Sequence, residues 1–384
     1  GDMSTLDTAA FHREIREHLA ALLKVRPRAV VRDRHPDYLS SDLAERFAEE
    51  AGIPVLQLQH HFAHGHAVLA ENLHQGPALI LALDGTGLGE DGNLWGGEIL
   101  FVDNGPGAPV HARLAHCAPL DLPGGEASIR EPWRIARALL LRLGLVHAGD
   151  TGKPAGARPE AAAGLSAFCP AGSPAPSLPL PWLPEYADAA RLLPRMLERG
   201  LNTPRSTSCG RLFDAVSALL GLCNATTYEG QAAIRLEEAQ GPGAEYSGLA
   251  DELGYPCSFG PSEIDPDLLQ LDTLGLFASV WADRQRGTAV PVIARRFHAS
   301  LAAGLADLAA HLTAKREIRH VGLSGGCFQN VTLTLSLADA LEKKGLVPLL
   351  HKELPPGDGC ISLGQAAWGR MVIRAAETDG SGKK

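Results

Sequence analysis

The feature that most constrains the fold is an uninterrupted apolar run, Ala78–Leu83, which ends in Asp84 and a glycine-rich segment. An apolar run of this length without alternation is typical of a strand that is buried on both faces. Two further strand-like segments, Leu94–Asp103 and His111–Leu120, follow after turns. The three segments predict a β-meander with Asp84 and a glycine turn at a strand end.

Helical and strand-like segments alternate on both sides of this meander, and the order predicts an α/β fold with mostly parallel strands and a cleft between two lobes. We predict a first lobe over residues 1–75 and a second over 76–384, with an irregular insertion at about 148–183 that is rich in Ala, Gly, Pro and Ser. Ligands of such folds bind at the carboxyl ends of strands.

Composition excludes several classes of function. The net charge of −9 disfavours broad binding to nucleic acid, since that requires a basic surface. The seven cysteines contain no CxxC pair, which fits a reducing cytoplasm better than a disulfide framework or a zinc ribbon. No apolar run reaches the roughly 18 residues that cross a membrane, and acidic residues interrupt any N-terminal signal sequence. We expect a cytoplasmic protein that does not bind a membrane.

Two histidines, His60 and His64, stand four residues apart at a predicted strand-to-helix junction. Side chains with this spacing share one face of a helix and can ligate one ion, such as zinc or iron. The alternative is a polar cap region with unrelated histidines. Asp84 is a candidate carboxylate ligand, and Asp358, before the last predicted helix, is a second; the alternatives are an Asp-Gly turn and a helix N-cap.

Glycine-rich loops supply candidate nucleotide contacts. Gly85 and Thr86 follow Asp84, and Gly325, Gly326 and Asn330 lie in the loop SGGCFQN between a strand and a helix. Glycine amides at such loops can bind phosphate oxygens, and Asn330 could bind an adenine or ribose edge. The alternative is a tight loop that needs glycine for its geometry alone.

Two further candidates lie in the second lobe. Asp214, in an otherwise apolar helix, needs a partner when buried; a ribose is one candidate and Arg211 is the other. Gly230 lies at a helix junction. The cysteines Cys327 and Cys360 have no basic neighbour in the sequence, so we interpret them as small packing residues.

Seven motifs, taken in the order in which they occur, resemble the C-terminal part of one family, the hydrogenase maturation carbamoyltransferase HypF. That part is similar to the tRNA threonylcarbamoyladenosine synthase fold of the actin/hexokinase/Hsp70 (ASKHA) superfamily. The motifs are HPDYLSS (His35–Ser41), QHHFAHGHAVLAEN (Gln59–Asn72), LALDGTGLGEDGNLWGGEIL (Leu81–Leu100), LPGGEASIREPWRIA (Leu122–Ala136), GRLFDAVSALLG (Gly210–Gly221), YEGQAAIRLE (Tyr228–Glu237) and LSGGCFQN (Leu323–Asn330).

The resemblance implies a specific activity. Members make carbamoyl adenylate from carbamoyl phosphate and ATP, and transfer the carbamoyl group to the C-terminal cysteine of the partner HypE. It implies that His60, His64, Asp84 and Asp358 hold a divalent metal, iron or zinc. It implies nucleotide contacts, with ATP or carbamoyl adenylate, at Asp214, Gly230, Gly325, Gly326 and Asn330.

Some features of the family are not found in the sequence. The acylphosphatase-like, zinc-finger and adenylate-forming modules do not occur in these 384 residues, so we expect this chain not to make carbamoyl adenylate alone. No strand hairpin with a phosphate loop precedes Ala29, so we expect a first lobe truncated at its N-terminus. Two other functions stay open: an O-carbamoyltransferase acting on a sugar or antibiotic hydroxyl, and a nucleotide-dependent docking module without enzymatic activity.

Overall fold

The computed structural model describes residues 5–146, 180–182, 185–241 and 254–381. The insertion that we predicted at about 148–183 therefore lies almost entirely outside the described residues. Within them, the strands form two sheets. A small parallel sheet pairs β1 (Val30–Asp33) with β2 (Val55–Leu58), and all other strands belong to a nine-stranded sheet.

The N-terminal segment contributes two helices beside the small sheet. Thr5 caps α1 (Leu6–Leu23), and the apolar stripe of this helix, which includes Phe11 and Leu22, is exposed to solvent. The helix α2 (Leu39–Ala51) packs against the small sheet and ends at Gly52. Tyr38 is its N-cap residue and makes no side-chain capping bond. Among residues 5–29, the structure describes no strand.

The nine-stranded sheet is mixed, so the prediction of mostly parallel strands is wrong. Short turns join its first three long strands, which therefore pair antiparallel, whereas the strand His320–Ser324 arrives through a helix and pairs parallel with the first of them. Its main path runs β11–β10–β3–β4–β5–β9–β8, with β6 and β7 beside it. The strands are β3 (Pro77–Leu88), β4 (Leu94–Asp103), β5 (Val110–Cys117), β6 (Leu120–Asp121), β7 (Arg205–Ser206), β8 (Phe259–Pro261), β9 (Leu269–Leu271), β10 (His320–Ser324) and β11 (Val347–Leu349).

Helices cover both faces of this sheet and bury two apolar cores. One core contains side chains of α3 (His60–Glu71) together with Leu58, Ile80 and Leu100. The larger core contains Trp133, Phe213 and Phe297. The remaining helices are α4 (Glu126–Arg130), α5 (Trp133–Arg142), α6 (Ala187–Arg199), α7 (Cys209–Leu219), α8 (Gln231–Glu238), α9 (Thr273–Gln285), α10 (Val290–Ala314), α11 (Val331–Lys343) and α12 (Ile361–Ser381). Of the helices that the structure describes, none combines the length and apolarity that crossing a bilayer requires.

Strand β3 differs from its predicted form in a way that matters for the cleft. Pairing with β4 continues to Leu88, so Asp84 lies inside the strand and does not begin a turn. The register shifts between Leu83 and Gly87, which leaves Asp84 in a bulge. Bulges redirect side chains near functional sites. This one lies beside the end of β10, whose Ser324 pairs with Ala82.

Candidate metal centre and adjoining cavity

The two predicted histidines lie side by side at the start of α3. Gln59 caps this helix, since its side chain accepts hydrogen bonds from the amides of His61 and Phe62. One helical turn separates His60 from His64, and their ring centroids are 4.9 Å apart. Both histidines are buried, because α3 lies between the large sheet and α12. The spacing thus brings two imidazoles to one buried point, as predicted.

Asp84 and Asp358 approach the same point from two other elements. Asp84 Oδ2 lies 3.2 Å from His60 Nε2 and 3.3 Å from His64 Nε2. Asp358 Oδ1 lies 3.4 Å and 3.7 Å from the same two nitrogens. One ligand atom from each of the four residues falls within 4.8 Å of every other. We call these four side chains the metal-ligand cluster. Asp358 begins a short 3-10 helix at residues 358–360 and makes no capping bond that the structure records there.

The charges in the cluster are strongly coupled. Burial alone would lower the pKa of His64, but hydrogen bonds to Asp358, Asp84 and Cys360 raise it to about 10. The pKa of His60 is likewise raised well above its usual value, since hydrogen bonds to Asp33, Asp358 and Asp84 outweigh burial. The histidines in turn hold the pKa of Asp84 well below its usual range, although burial opposes this. Two carboxylates in a buried site therefore require positive charge beside them.

A divalent cation fits this donor set. Two imidazoles and two carboxylates are ligands that zinc and iron accept, with coordination positions left for a substrate. His64 Nε2 is buried and makes no hydrogen bond of regular geometry to the carboxylate oxygens of Asp84 and Asp358 beside it, which is expected of an atom that binds a metal. His60 Nδ1 lies 3.2 Å from Asp33 Oδ2. A carboxylate behind a metal-bound histidine is a frequent arrangement, because it sets the orientation of the ring.

Several residues around the cluster were missed by the sequence analysis. Asp33, Ser324, His351 and Glu71 contact the ligands directly or through one another. Asp33 offers a signal of the same kind as Asp84, since each is an aspartate that follows apolar strand residues. The sequence carries no such signal for the other three, because the contacts of Ser324 with His64 and of His351 with Glu71 join residues 260 and 280 positions apart.

The interpretation of Cys360 as a packing residue without a basic neighbour is wrong. Its thiol is buried, which raises its pKa, but hydrogen bonds with His351 and His64 outweigh this effect and lower the pKa to about 6. Cys360 Sγ lies 3.4 Å from His64 Nδ1. His64 comes from a segment 296 residues away, so local sequence could not reveal it, whereas His351 precedes Cys360 in the same C-terminal segment.

A cavity of about 480 Å³ opens directly from the cluster, and Asp84 and Asp358 form part of its wall. This volume is in the range of small-molecule sites. Its other walls come from the starts of α7 and α8 and from the loop after β10. Beside it lies a second cavity of about 370 Å³, which shares Asp84, Arg211 and Asp358 with the first and also contacts Thr86 and Thr227.

The predicted nucleotide residues are brought to these cavities, with one exception. Gly85 and Gly230 line both cavities, Thr86 lines the smaller, and Gly326 lines the larger. Gly325 lines neither. The amides of Gly325 and Gly326, which we predicted to contact a nucleotide, both have protein acceptors in this structure, and their nucleotide role stays a prediction. The Gly325 amide donates to the Pro356 carbonyl at 2.8 Å, and the Gly326 amide donates to Asp84 Oδ1 at 2.9 Å.

Asp214 and Asn330 also line the larger cavity, but each already has protein partners. Asp214 Oδ2 lies 3.1 Å from Arg211 Nη2, which was the alternative partner considered for it. Asn330 caps α11 by accepting from the Leu333 amide, and its Nδ2 lies 3.0 Å from His298 Nε2. Their roles in nucleotide binding stay predictions.

Comparison with known families gives two adjoining matches that cover most of the chain. Residues 80–365 match the model described as the carbamoyltransferase, Kae1-like domain, second subdomain. Residues 1–71 match the model described as the HypF Kae1-like domain. The first match alone spans more than half of the chain.

Curated relatives and solved structures agree with these matches. The chain is 37% identical over 383 residues to carbamoyltransferase HypF2 of Cupriavidus necator, and 38% identical over 340 residues to a HypF homolog of the same organism. It covers 42% of the first relative and 76% of the second. A probable carbamoyltransferase HypF of Methanocaldococcus jannaschii is 30% identical over 372 residues, and 42% of its length is covered.

A crystal structure of full-length HypF in the phosphate- and nucleotide-bound form superimposes with a TM-score of 0.77 at 27% identity, over 97% of this chain and 51% of that one. The structure of T. kodakarensis HypF gives a TM-score of 0.76 at 27% identity, over 97% of this chain and 44% of that one. The chain thus spans less than half the length of most curated relatives named here. The α/β fold is Kae1-like, as expected. The chain therefore belongs to the HypF carbamoyltransferase family and corresponds to its C-terminal, Kae1-like part.

Proposed function

We propose that this chain transfers a carbamoyl group from carbamoyl adenylate to the C-terminal cysteine of a HypE partner, as a step of hydrogenase maturation. One observation carries the proposal: Asp84 and Asp358 belong both to the metal-ligand cluster and to the wall of the larger cavity. A nucleotide in that cavity would therefore lie against the metal. Membership of the HypF family supports carbamoyl as the group that is transferred.

The walls of the cavity suit a carbamoyl nucleotide. Gly85, Gly230 and Gly326 present no side chain, so a ligand can approach the backbone closely. Among the described residues on the wall, Arg211 supplies the one basic side chain, and it can balance phosphate charge. Asp214 and Glu229 are candidate acceptors for ribose hydroxyls. A HypF relative crystallised in its phosphate- and nucleotide-bound form supports a nucleotide as the ligand class.

The metal would be held by His60, His64, Asp84 and Asp358. When bound there, a divalent ion supplies Lewis acidity and a template for orienting oxygen ligands. In the transfer itself, the sulfur of the acceptor thiolate attacks the carbamoyl carbon. A C–S bond forms, the bond from that carbon to the phosphate oxygen breaks, and AMP leaves with the electron pair. The thiol proton is released before the attack.

The experiment supplies synthetic carbamoyl adenylate to the purified, metal-loaded chain and offers two acceptors. One is full-length HypE, and the other is HypE without its C-terminal cysteine. We expect mass spectrometry to show one carbamoyl group added to the first acceptor only. The variant His60→Ala with His64→Ala should abolish transfer, and the matched variant His12→Ala with His18→Ala, at exposed positions of α1, should not.

Two outcomes would contradict the proposal. Transfer to small sugar alcohols but not to HypE would favour an O-carbamoyltransferase. Binding of metal and nucleotide without transfer to any acceptor would favour a docking module, provided that the metal-loaded chain is folded. We expect that this chain does not make carbamoyl adenylate by itself, so carbamoyl phosphate and ATP alone should give no product.

A further inference from the structure

A chain of three short contacts leads from the metal-ligand cluster to the far end of α3. His64 Nδ1, the nitrogen that faces away from the other ligands, lies 3.0 Å from Ser324 Oγ. Ser324 Oγ lies 2.9 Å from His351 Nε2, and His351 Nδ1 lies 2.6 Å from Glu71 Oε2. All four side chains are at least nine-tenths buried. We call Glu71, His351 and Ser324 the relay.

The chemistry of Glu71 sets the direction of these hydrogen bonds. Burial would raise the pKa of this carboxyl, but the amides of Glu353, Lys352 and Leu354 and the ring of His351 lower it to about 2. An ionised carboxylate only accepts hydrogen bonds, so His351 Nδ1 must donate to it. In the neutral ring, His351 Nε2 then accepts the single hydroxyl hydrogen of Ser324. In the protonated ring, which Cys360 and Glu71 favour by raising the pKa of His351 despite its burial, Nε2 donates to Ser324 Oγ, and the hydroxyl can donate to the Pro356 carbonyl, 3.4 Å away.

The last link concerns His64 itself. In both states of His351, the oxygen of Ser324 can accept from His64 Nδ1. The sulfur of Cys360, 3.4 Å away, is a second acceptor for the same N–H. When a metal displaces the hydrogen of Nε2, His64 would keep its other hydrogen on Nδ1, and the lone pair of Nε2 would lie on the side of Asp84 and Asp358.

We infer that Glu71 and His351 are positioning residues which, through Ser324, hold His64 in the tautomer that ligates the metal through Nε2. The inference rests on the metal site of the proposed function and extends it to residues outside the cluster. Outer partners that set the tautomer of a metal-bound histidine commonly change metal affinity when they are removed. Glu71 also ties the backbone of residues 352–354 to α3, and this segment leads directly to Asp358.

The test measures Zn²⁺ affinity of the full chain by competition with a chromophoric chelator. Glu71→Gln can keep an oxygen for the backbone amides but presents an NH₂ group to His351 Nδ1, which reverses the first hydrogen bond. Ser324→Ala removes the middle link. We expect each to weaken Zn²⁺ binding by about 10- to 100-fold. Asn72→Ala removes a tether to the Leu350 carbonyl of the same segment without entering the relay, and should bind Zn²⁺ nearly as well as the unaltered chain.

A second measurement distinguishes control of the histidine tautomer from a purely structural role of Glu71 in holding residues 352–354. In ¹⁵N-labelled, Zn²⁺-loaded protein, the ring nitrogen shifts should place the hydrogen of His351 on Nδ1, and Glu71→Gln should move it to Nε2. If Glu71→Gln and Ser324→Ala bind Zn²⁺ as tightly as Asn72→Ala does, the role of the relay is contradicted, but the metal site is not. An unaltered chain that fails to bind Zn²⁺ at all would overturn the metal site and the relay with it.

Discussion

At the scale of single residues, no side chain of the metal-ligand cluster would identify a metal site by itself. His60 and His64 lie one helical turn apart, whereas Asp84 and Asp358 come from a strand bulge and a loop. Three of the four are buried, and Asp358 keeps 76% of its side chain exposed. The exposed ligand is therefore the one that a substrate in the cavity can reach or displace.

Removing both histidines should abolish metal binding without unfolding the chain. In the variant His60→Ala with His64→Ala, two of four ligands are lost, while the apolar contacts of Phe62 and Leu69 that hold α3 remain. Elemental analysis should find no bound metal, and circular dichroism should match that of the unaltered chain. The variant His12→Ala with His18→Ala is the control. Unchanged metal content in the first variant would contradict the site.

Zn²⁺ affinity should rise with pH. The pKa of His64 is raised to about 10, and that of His60 is also well above its usual value, so both rings are protonated near neutrality in the metal-free protein. Metal must displace these protons, which makes binding tighter by about tenfold per pH unit for each proton displaced. Chelator competition at pH 6.5 and 7.5 measures the change. An affinity independent of pH would show that the histidines are neutral before metal binds.

At the scale of elements, the position of α3 depends on its contact with α12. Gly364 in α12 lies against the backbone of Ala63 in α3, and a Cβ at that position would overlap the Ala63 carbonyl oxygen. This is the reason for a glycine inside a helix, where alanine would otherwise be preferred by about 1 kcal/mol. Because α3 carries both histidines, the contact also sets the geometry of the cluster.

Gly364→Ala should destabilise the chain by about 1–3 kcal/mol and weaken Zn²⁺ binding, since the added methyl group separates α12 from α3. Urea unfolding gives the first quantity and chelator competition the second. Gly260→Ala is the control, because a Cβ there meets nothing within 4 Å. Equal stability of both variants would mean that the two helices can move apart without cost.

At the scale of the whole molecule, burial makes stability depend on pH through two histidines outside the metal-ligand cluster. Burial lowers the pKa of His298 to about 4, although a hydrogen bond to the Ala294 carbonyl opposes this, and the pKa of His66 to about 3. Both rings are neutral in the folded chain and ionise near their ordinary value of 6.5 once unfolded. Their contribution to stability is therefore present above pH 6.5 and is lost as the pH falls toward 4.

His298→Gln should reduce this dependence. Glutamine cannot titrate, yet its oxygen can still accept from Asn330 Nδ2 as His298 does. Between pH 7 and pH 5, the free energy of unfolding of the variant should fall by about 1–2 kcal/mol less than that of the unaltered chain. Urea titrations at both pH values measure this, with His18→Gln at an exposed position as the control. The same loss in both variants would contradict a neutral, buried His298.

The sequence by itself determined the local elements and the membership of the cluster. The i, i+4 histidines, the apolar run before Asp84 and the glycine that ends α2 each act through neighbours in the chain, so they are readable from it. The four metal ligands were predicted with the help of the family resemblance, and they do lie together. Among the residues that contact these ligands, only Asp33 could have been identified from the sequence in the same way as Asp84.

Only the tertiary structure decided what these residues bond to. The parallel pairing of β10 with β3, the occupied amide of Gly326 and the contact of His64 with Cys360 all depend on segments far apart in the chain. Hydrogen bonds and burial act over a few ångströms in space, whereas periodicity acts over a few residues in sequence. The relay from Glu71 to His64 exists because residues nearly three hundred positions apart meet at one buried point.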